Sequence, residues 1–193
     1  MRITAGALRG RKLCGAKSHT NPDSAVRPTT ARVREALFNI LGDVTDWRVL
    51  DCFAGSGIMA LEALSRGAAE AISIEQQRGT VAAMEAVRQR IDGQFRGQSE
   101  RNDRWQILGT DIRHALPALA NTRFDLIFAD PPYRSDWPPR LPLLLQQFHI
   151  TTEHLVIEEA SDTTIIWPEA VTVQERRRYG ESTLYFIEMN RTK

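Results

Sequence analysis

The sequence predicts an α/β protein: a mainly parallel sheet covered by helices and closed by an antiparallel pair of strands. Three observations predict it. From Trp47 onward, short apolar runs alternate with helical patterns. The last two apolar runs meet near Gly180 with no helix between them. Several apolar runs end in a carboxylate, as in "VLD", "ISIE" and "LIFAD". Repeated β-α units require parallel pairing through helical crossovers, whereas a short turn between two strands forces antiparallel pairing.

The elements follow in order. "RITAGALRGRKL" alternates enough to suggest a short strand pair, and "CGAKSHTNPDSAV" is a loop by its Gly, Ser, Asn and Pro content. "PTTARVREALFNIL" reads as a helix capped by Thr29 or Thr30. Its apolar stripe is Val33, Leu37, Ile40 and Leu41, with Arg32 and Arg34 off it. "WRVLDCF" is the first core strand, and "GIMALEALSRG" a helix closed by Gly67. "EAISIE" and "RGTVAAMEAVRQRI" repeat that unit, and the polar "DGQFRGQSERNDR" interrupts it. "WQILGTD", "IRHALPAL", "FDLIFAD" and "PPRLPLLLQQF" continue strand, helix, strand, helix, the last with its prolines placed early. "EHLVIEEA" is a fifth strand, and "AVTVQERRRYG" with "STLYFIEMN" forms the closing hairpin. The organisation is a basic extension and loop over residues 1–26, then one domain over 27–193.

Charge is unevenly spread over the 193 residues. The net charge of +1 conceals a segment, residues 1–34, with eight Arg/Lys and one acid, against 17 basic and 23 acidic residues beyond it. A basic end on an acidic body points to a polyanion contact at that end. No apolar stretch approaches the roughly 18 residues of a membrane span, and the start lacks the apolar core of a secretory signal. Cys14 and Cys52 form no disulfide framework, which favours a reducing cytoplasm. His19, His114, His149 and His154 have no metal-ligand spacing, so no metal is assigned.

The first strand end reads as a cofactor site. In open α/β sheets ligands sit beyond the carboxyl ends of the strands. There Asp51 is followed by Phe53-Ala54-Gly55-Ser56-Gly57, a small-residue turn that opens a helix and lets backbone approach a ligand. Glu75 ends the second strand about 20 residues on, placed to accept from ribose hydroxyls, with Gln76 beside it. Asp111, followed by Ile112, ends the third and could accept from an adenine amine. Three carboxylates would repel a pyrophosphate. They suit ribose, adenine and a cationic centre, which describes S-adenosylmethionine better than NAD. The turn is also not G-x-G-x-x-G.

The fourth strand end reads as an amine site. Asp130-Pro131-Pro132-Tyr133 follows an apolar run. A conjugated amino nitrogen on a nucleobase is a poor nucleophile. Its N–H groups must be held so that its lone pair faces the methyl donor. The Asp130 carboxylate and the Pro131 carbonyl are two acceptors, stiffened by proline, and the carboxylate stabilises the positive charge that develops on nitrogen. Tyr133 offers a ring for a base taken out of its helix.

"DCFAGSG", "IEQ" and "DPPY" together resemble the class I S-adenosylmethionine-dependent amino-methyltransferases. "RITAGALRGRKL", "RPTTARVREALFNIL", "GIMALEALSRGA" and "RYGESTLYFIE" resemble, more specifically, the bacterial RsmD family, which methylates N2 of one guanine in 16S rRNA. The likeness runs from Arg2 to Glu188. It implies a Rossmann-like, seven-stranded methyltransferase fold with an N-terminal β-hairpin extension. It also implies cofactor contacts at Asp51, Ala54–Gly57, Glu75 and Asp111, and target-amine contacts at Asp130, Pro131 and Tyr133. RNA would meet Arg9, Arg11, Lys12 and the segment from Arg27 through Thr29 and Arg32 to Arg34. Apart from the likeness, the Arg176–Arg178 run with Tyr179 either extends that basic surface or guards a strand edge against aggregation. The sequence departs from the commoner pattern at "IEQQRG" and in the long polar insertion.

Two other functions share some of these features. A DNA adenine-N6 or cytosine-N4 methyltransferase would use the same "DPPY" chemistry, but the chain is short for an added DNA-recognition domain. A non-catalytic RNA-binding assembly factor would not need Asp51, Glu75 and Asp130 together.

Overall fold

A computed structural model describes residues 1–12, 30–91 and 104–189. Cys14, Arg27, Thr29 and the 92–103 part of the polar insertion lie outside them. The elements are α1 (Ala31–Leu41), β1 (Arg48–Asp51), α2 (Ile58–Ser65), β2 (Glu70–Ile74), α3 (Arg78–Ile91), β3 (Trp105–Leu108), α4 (Ile112–Ala115) running into a 3₁₀ turn (Leu116–Leu119), β4 (Arg123–Ala129), α5 (Trp137–Gln147), β5 (Thr151–Ala160), β6 (Val171–Tyr179) and β7 (Ser182–Met189). The seven strands form one sheet in the order β3-β2-β1-β4-β5-β7-β6. β1 through β5 pair in parallel, and β7 is antiparallel to both β5 and β6. The strand order reverses between β1 and β4, which opens a crevice at their carboxyl ends.

Each face of the sheet carries its own core. One contains Val49, Leu126, Phe128, Val156 and Leu184 together with residues of α1, α2 and α3. The other contains Leu50, Ile127, Leu155, Tyr185 and Ile187 with α4 and α5. Strand residues alternate between the two, as a sheet buried on both sides requires. α5 starts at Pro-rich Trp137, but Pro142 lies inside it rather than early.

The N-terminal segment is less regular than a strand pair. Among the described residues, its pairing in the sheet sense is a bridge between Arg2 and Lys12. It is a turn docked on the end of α2. The Ala7 N–H donates to the Ser65 carbonyl (2.7 Å), the Leu8 N–H to Ser65 Oγ (2.8 Å), and Ser65 Oγ to the Ala5 carbonyl (2.5 Å). Gly6 has φ +77°, and a Cβ there would sit 1.7 Å from the Ser65 oxygen, so only glycine fits. Ile3 and Leu8 are buried in the same core as α1 and α2.

Glu62 anchors this arrangement from inside. Its carboxylate is fully buried and accepts from the Thr4 and Ala5 N–H groups and the Thr4 hydroxyl. Arg66 Nε (3.0 Å) and Arg34 Nε (3.8 Å) flank it. This corrects the reading of Arg34 as an RNA contact. Arg34 is only 2% exposed, and its guanidinium also donates to the Arg2 carbonyl (2.9 Å). Desolvation pulls its pKa below the ordinary arginine value, opposed by Glu62. The buried stripe of α1 is Val33, Arg34, Leu37 and Phe38, rotated from the apolar count because a buried acid makes the arginine an inward residue. Thr30 caps the helix, its hydroxyl accepting from the Val33 N–H.

Candidate active site

The β1–α2 turn is shaped by main-chain bonds. The Cys52 N–H donates to the Phe128 carbonyl, the Ala54 N–H to Ile74, and the Gly57 N–H to Ala54. Gly55 and Gly57 both take positive φ (51° and 72°) but serve different ends. A Cβ on Gly55 would project into open space, as a ligand-facing turn requires. A Cβ on Gly57 would lie 2.4 Å from the Trp105 ring, so packing against Trp105 requires glycine there. Ser56 is half-buried beside them, and the Phe53 ring meets Trp137 edge-on, centroids 5.4 Å apart.

Asp51 is buried, 1% exposed. Burial pushes its pKa up to about 7; the Ala60 backbone hydrogen bond works against the shift and the neighbouring Glu75 charge adds to it. Among the described residues its Oδ2 has no hydrogen-bond partner. A buried carboxylate oxygen without a donor is costly, and a cationic ligand group would satisfy it. The residues therefore fit an ammonium-bearing cofactor.

Glu75 is half-buried, and its oxygens accept from the Gly55 N–H (2.9 Å) and the Gln77 N–H (2.8 Å). A carboxylate has about four acceptor positions, so ribose hydroxyls can still be served. Gln76 is exposed. Asp111 caps α4 and is held by Arg113 through Nε (2.8 Å) and Nη2 (3.1 Å). Arg113 keeps the Asp111 carboxyl below the usual range. Ile112 is a core residue, 3% exposed.

Across the switch point, Asp51 pairs with Phe128, which puts Asp130 two residues further along the neighbouring strand. Asp130 is half-buried, Pro131 buried and Pro132 exposed. The Tyr133 hydroxyl is tied to Glu158 Oε1 (3.2 Å) and to Ser182 Oγ (3.0 Å). Burial and the carboxylates nearby raise its pKa, so the phenol stays neutral. Arg134, next in the chain, adopts φ +58°, and its N–H is held by both oxygens of buried Glu159 (3.1 and 3.2 Å). Sequence reasoning misses Glu158, Glu159 and Ser182. A signal for the two acids is present: "LVIEEA" is another apolar strand ending in carboxylates.

The structure brings the four strand tips carrying Asp51, Glu75, Asp111 and Asp130 to one edge of the sheet. Of the residues expected to meet RNA, Arg9, Arg11, Lys12 and Arg32 are exposed, and Tyr179 is half-buried against the α1–α2 core. Among the described residues no group of His, Cys, Asp and Glu could hold a metal ion, and no helix is long and apolar enough to cross a membrane.

The sequence profile of the family described as Conserved hypothetical protein 95 matches residues 1–188. The chain belongs to that family. Relatives of the chain include Ribosomal RNA small subunit methyltransferase D of Escherichia coli K12, 43% identical over 136 residues that make up 69% of this chain and 61% of that protein. The enzyme of the same description from Buchnera aphidicola (Acyrthosiphon pisum) is 30% identical over 95% of this chain and 90% of its own. The solved structure of a hypothetical protein from Thermus thermophilus superposes with a TM-score of 0.76 at 28% identity, covering 97% of this chain and 99% of that one. The family's seven-stranded fold, with its antiparallel closing hairpin, is therefore the one seen here.

Proposed function

We infer that the protein transfers a methyl group from S-adenosylmethionine to the exocyclic N2 of a guanine in the 16S rRNA of the small ribosomal subunit. The observation that carries this reading is the pairing of an unsatisfied buried carboxylate, Asp51, with the Asp130-Pro131-Pro132-Tyr133 turn on the adjacent strand. Membership of a family whose relatives are small-subunit rRNA methyltransferases supplies the substrate class. A ribosomal substrate implies the cytoplasm as the place of work.

S-adenosylmethionine, when bound, supplies an electrophilic methyl group on a sulfonium. Asp51 would accept from its ammonium, the Ala54–Gly57 turn would lie against it with Phe53 at its flank, and Glu75 with Gln76 would meet the ribose. Asp111 and Ile112 would border the adenine. The Asp130 carboxylate and the Pro131 carbonyl would accept the two N–H groups of guanine N2. Their fixed positions aim the lone pair at the incoming methyl, and the carboxylate offsets the charge that develops on nitrogen. Pro132 stiffens the turn, and the anchored Tyr133 ring would stack on the base. Arg9, Arg11, Lys12 and Arg32, with Arg27, Thr29 and Tyr179, would meet the RNA backbone, an affinity that falls with salt.

The test offers labelled S-adenosylmethionine with naked 16S rRNA, with small subunits lacking the modification, or with DNA. Label is expected in N2-methylguanosine from RNA. Label in DNA adenine or cytosine overturns the reading.

A further inference from the structure

Beyond the Asp130–Tyr133 turn, the sheet's carboxyl edge continues into a cavity of about 610 Å³. The segment following β5 (Ser161, Asp162, Thr163, Thr164, Ile165, Trp167) walls one side. The β6–β7 hairpin walls the other with Val173, Arg176, Arg178, Thr183 and Tyr185. The volume suits one or two nucleotides rather than a protein segment.

Its chemistry is arranged by a backbone irregularity. Before the bulge, Val171 and Val173 of β6 lie opposite Met189 and Ile187 of β7. The register then shifts between Val173 and Glu175, so that Arg176 faces Tyr185 and Arg178 faces Thr183. One extra residue, Gln174, reverses the in–out alternation of the strand. Without the shift, Glu175 would face Tyr185 and Arg177 would face Thr183. With the shift, Arg177 pairs instead with Glu175 (2.7 Å) on the opposite face, and Tyr179 packs on the α1–α2 core. Two arginines are thereby turned toward an aromatic pair, Trp167 and Tyr185, whose ring centroids are 5.5 Å apart. A strand arginine whose only role is to guard an edge against aggregation needs no such re-aiming.

The cavity also communicates with the turn that carries Tyr133. Arg134 donates to Asp162 in the cavity wall (2.6 Å), and its N–H is fixed by Glu159 at the end of β5. Ser161 Oγ and Thr183 Oγ1, both in its lining, share a hydrogen bond (2.9 Å). Cationic heads for phosphate, a ring for a base and hydroxyls for polar edges are the parts of a single-stranded nucleotide site.

We propose that this cavity binds a nucleotide flanking the methylated guanine, its base against Trp167 and its phosphate on Arg176 and Arg178. The RNA strand would straddle the carboxyl edge of the sheet, with the target base beside Tyr133 and its neighbour on the α5 side. The proposal deepens the rRNA reading and rests on it.

The test uses the full-length protein in two variants, Arg176→Gln combined with Arg178→Gln, and Trp167→Leu. Methylation of small subunits lacking the mark is measured alongside filter binding of naked 16S rRNA across a salt series. The arginine pair is expected to raise KM about tenfold with kcat and cofactor affinity unchanged. It should also make the slope of log affinity against log salt shallower by about 1.4, two single-strand phosphate contacts. Trp167→Leu is expected to weaken binding about tenfold with no change of slope. Wild-type KM, binding and slope in both variants, with an active wild type, overturn the cavity and leave the methyltransferase reading intact. An inactive wild type whose rRNA binding falls with the variants supports the cavity and overturns the methyltransferase reading. Variants impaired only on assembled subunits, with naked rRNA bound normally, make the partner a ribosomal protein and overturn the nucleotide assignment.

Discussion

The donor side and the acceptor side of the crevice are held in shape by different means. Around β1, β2 and β3 the turn is braced mostly by main-chain groups a few residues from a strand end, with Gly55 N–H to Glu75 as the main side-chain contribution. Around β4, β5 and β7 the bracing is by side chains from distant parts of the chain. Tyr133 reaches Glu158 and Ser182, 25 and 49 residues away, and Arg134 reaches Glu159 and Asp162. A turn fixed by main-chain bonds survives most side-chain changes. A turn fixed by carboxylates and a hydroxyl from elsewhere depends on each of them and can be adjusted by any of them.

The sharpest way to break this contrast is at Asp130. Asp130→Ala removes the carboxylate assigned to the target amine. Transfer should fall by about 10³-fold, roughly 4 kcal/mol of transition-state stabilisation, while cofactor affinity stays within about 1 kcal/mol. Calorimetry with S-adenosylmethionine and single-turnover methylation separate the two. Loss of cofactor binding in the variant would show that the two sides are one unit.

Asp51 tests the donor side and has a pH signature. Its pKa in the folded protein is about 7, above the ordinary carboxylate value near 3.9. A raised folded pKa means the native state binds the proton more tightly. The resulting cost is absent at low pH, grows as pH rises from about 4, and is complete above about 7. Asp51→Asn should thus match wild type in thermal unfolding at pH 4 and exceed it at pH 8, by on the order of 4 kcal/mol. The same variant should bind S-adenosylmethionine at least about tenfold more weakly at pH 8, the exchange of stability for function expected of a strained site. Unchanged affinity in Asp51→Asn would remove the ammonium from this carboxylate.

What can be read from the sequence follows the same division. Asp51, the glycine turn, Glu75 and Asp111 are legible because strand, turn and helix start lie within a few residues and follow local rules. The helix Arg78–Ile91 is legible to the residue for the same reason. Arg34 is not, because its burial depends on Glu62, a partner 28 positions away whose inward direction no periodicity reveals. Gly57 reads as a ligand-facing glycine because its contact with Trp105 is tertiary. The β6 bulge is hidden too, since "VTVQERRRY" alternates equally well in either register. Glu158 and Glu159 become visible once the rule applied to the first four strand ends is extended to the fifth.

Tyr133 offers the smallest and most discriminating test of the acceptor side. The ring and the hydroxyl have separate tasks: the ring would stack on the base, and the hydroxyl ties the turn to Glu158 and Ser182. Tyr133→Phe keeps the ring and leaves Ser182 and the buried Glu158 each short of one partner. Leaving a buried polar group short of a partner costs about 1–2 kcal/mol, part of it in stability and part in the aim of the turn. Turnover should fall about fivefold, with a drop of a few degrees in Tm. Tyr133→Ala removes the stacking surface as well and should raise KM for the RNA by about a further tenfold. The pair of variants separates the tasks by which kinetic constant moves. If Phe and Ala behave alike, the hydroxyl anchor accounts for the whole effect, and the base does not stack on Tyr133.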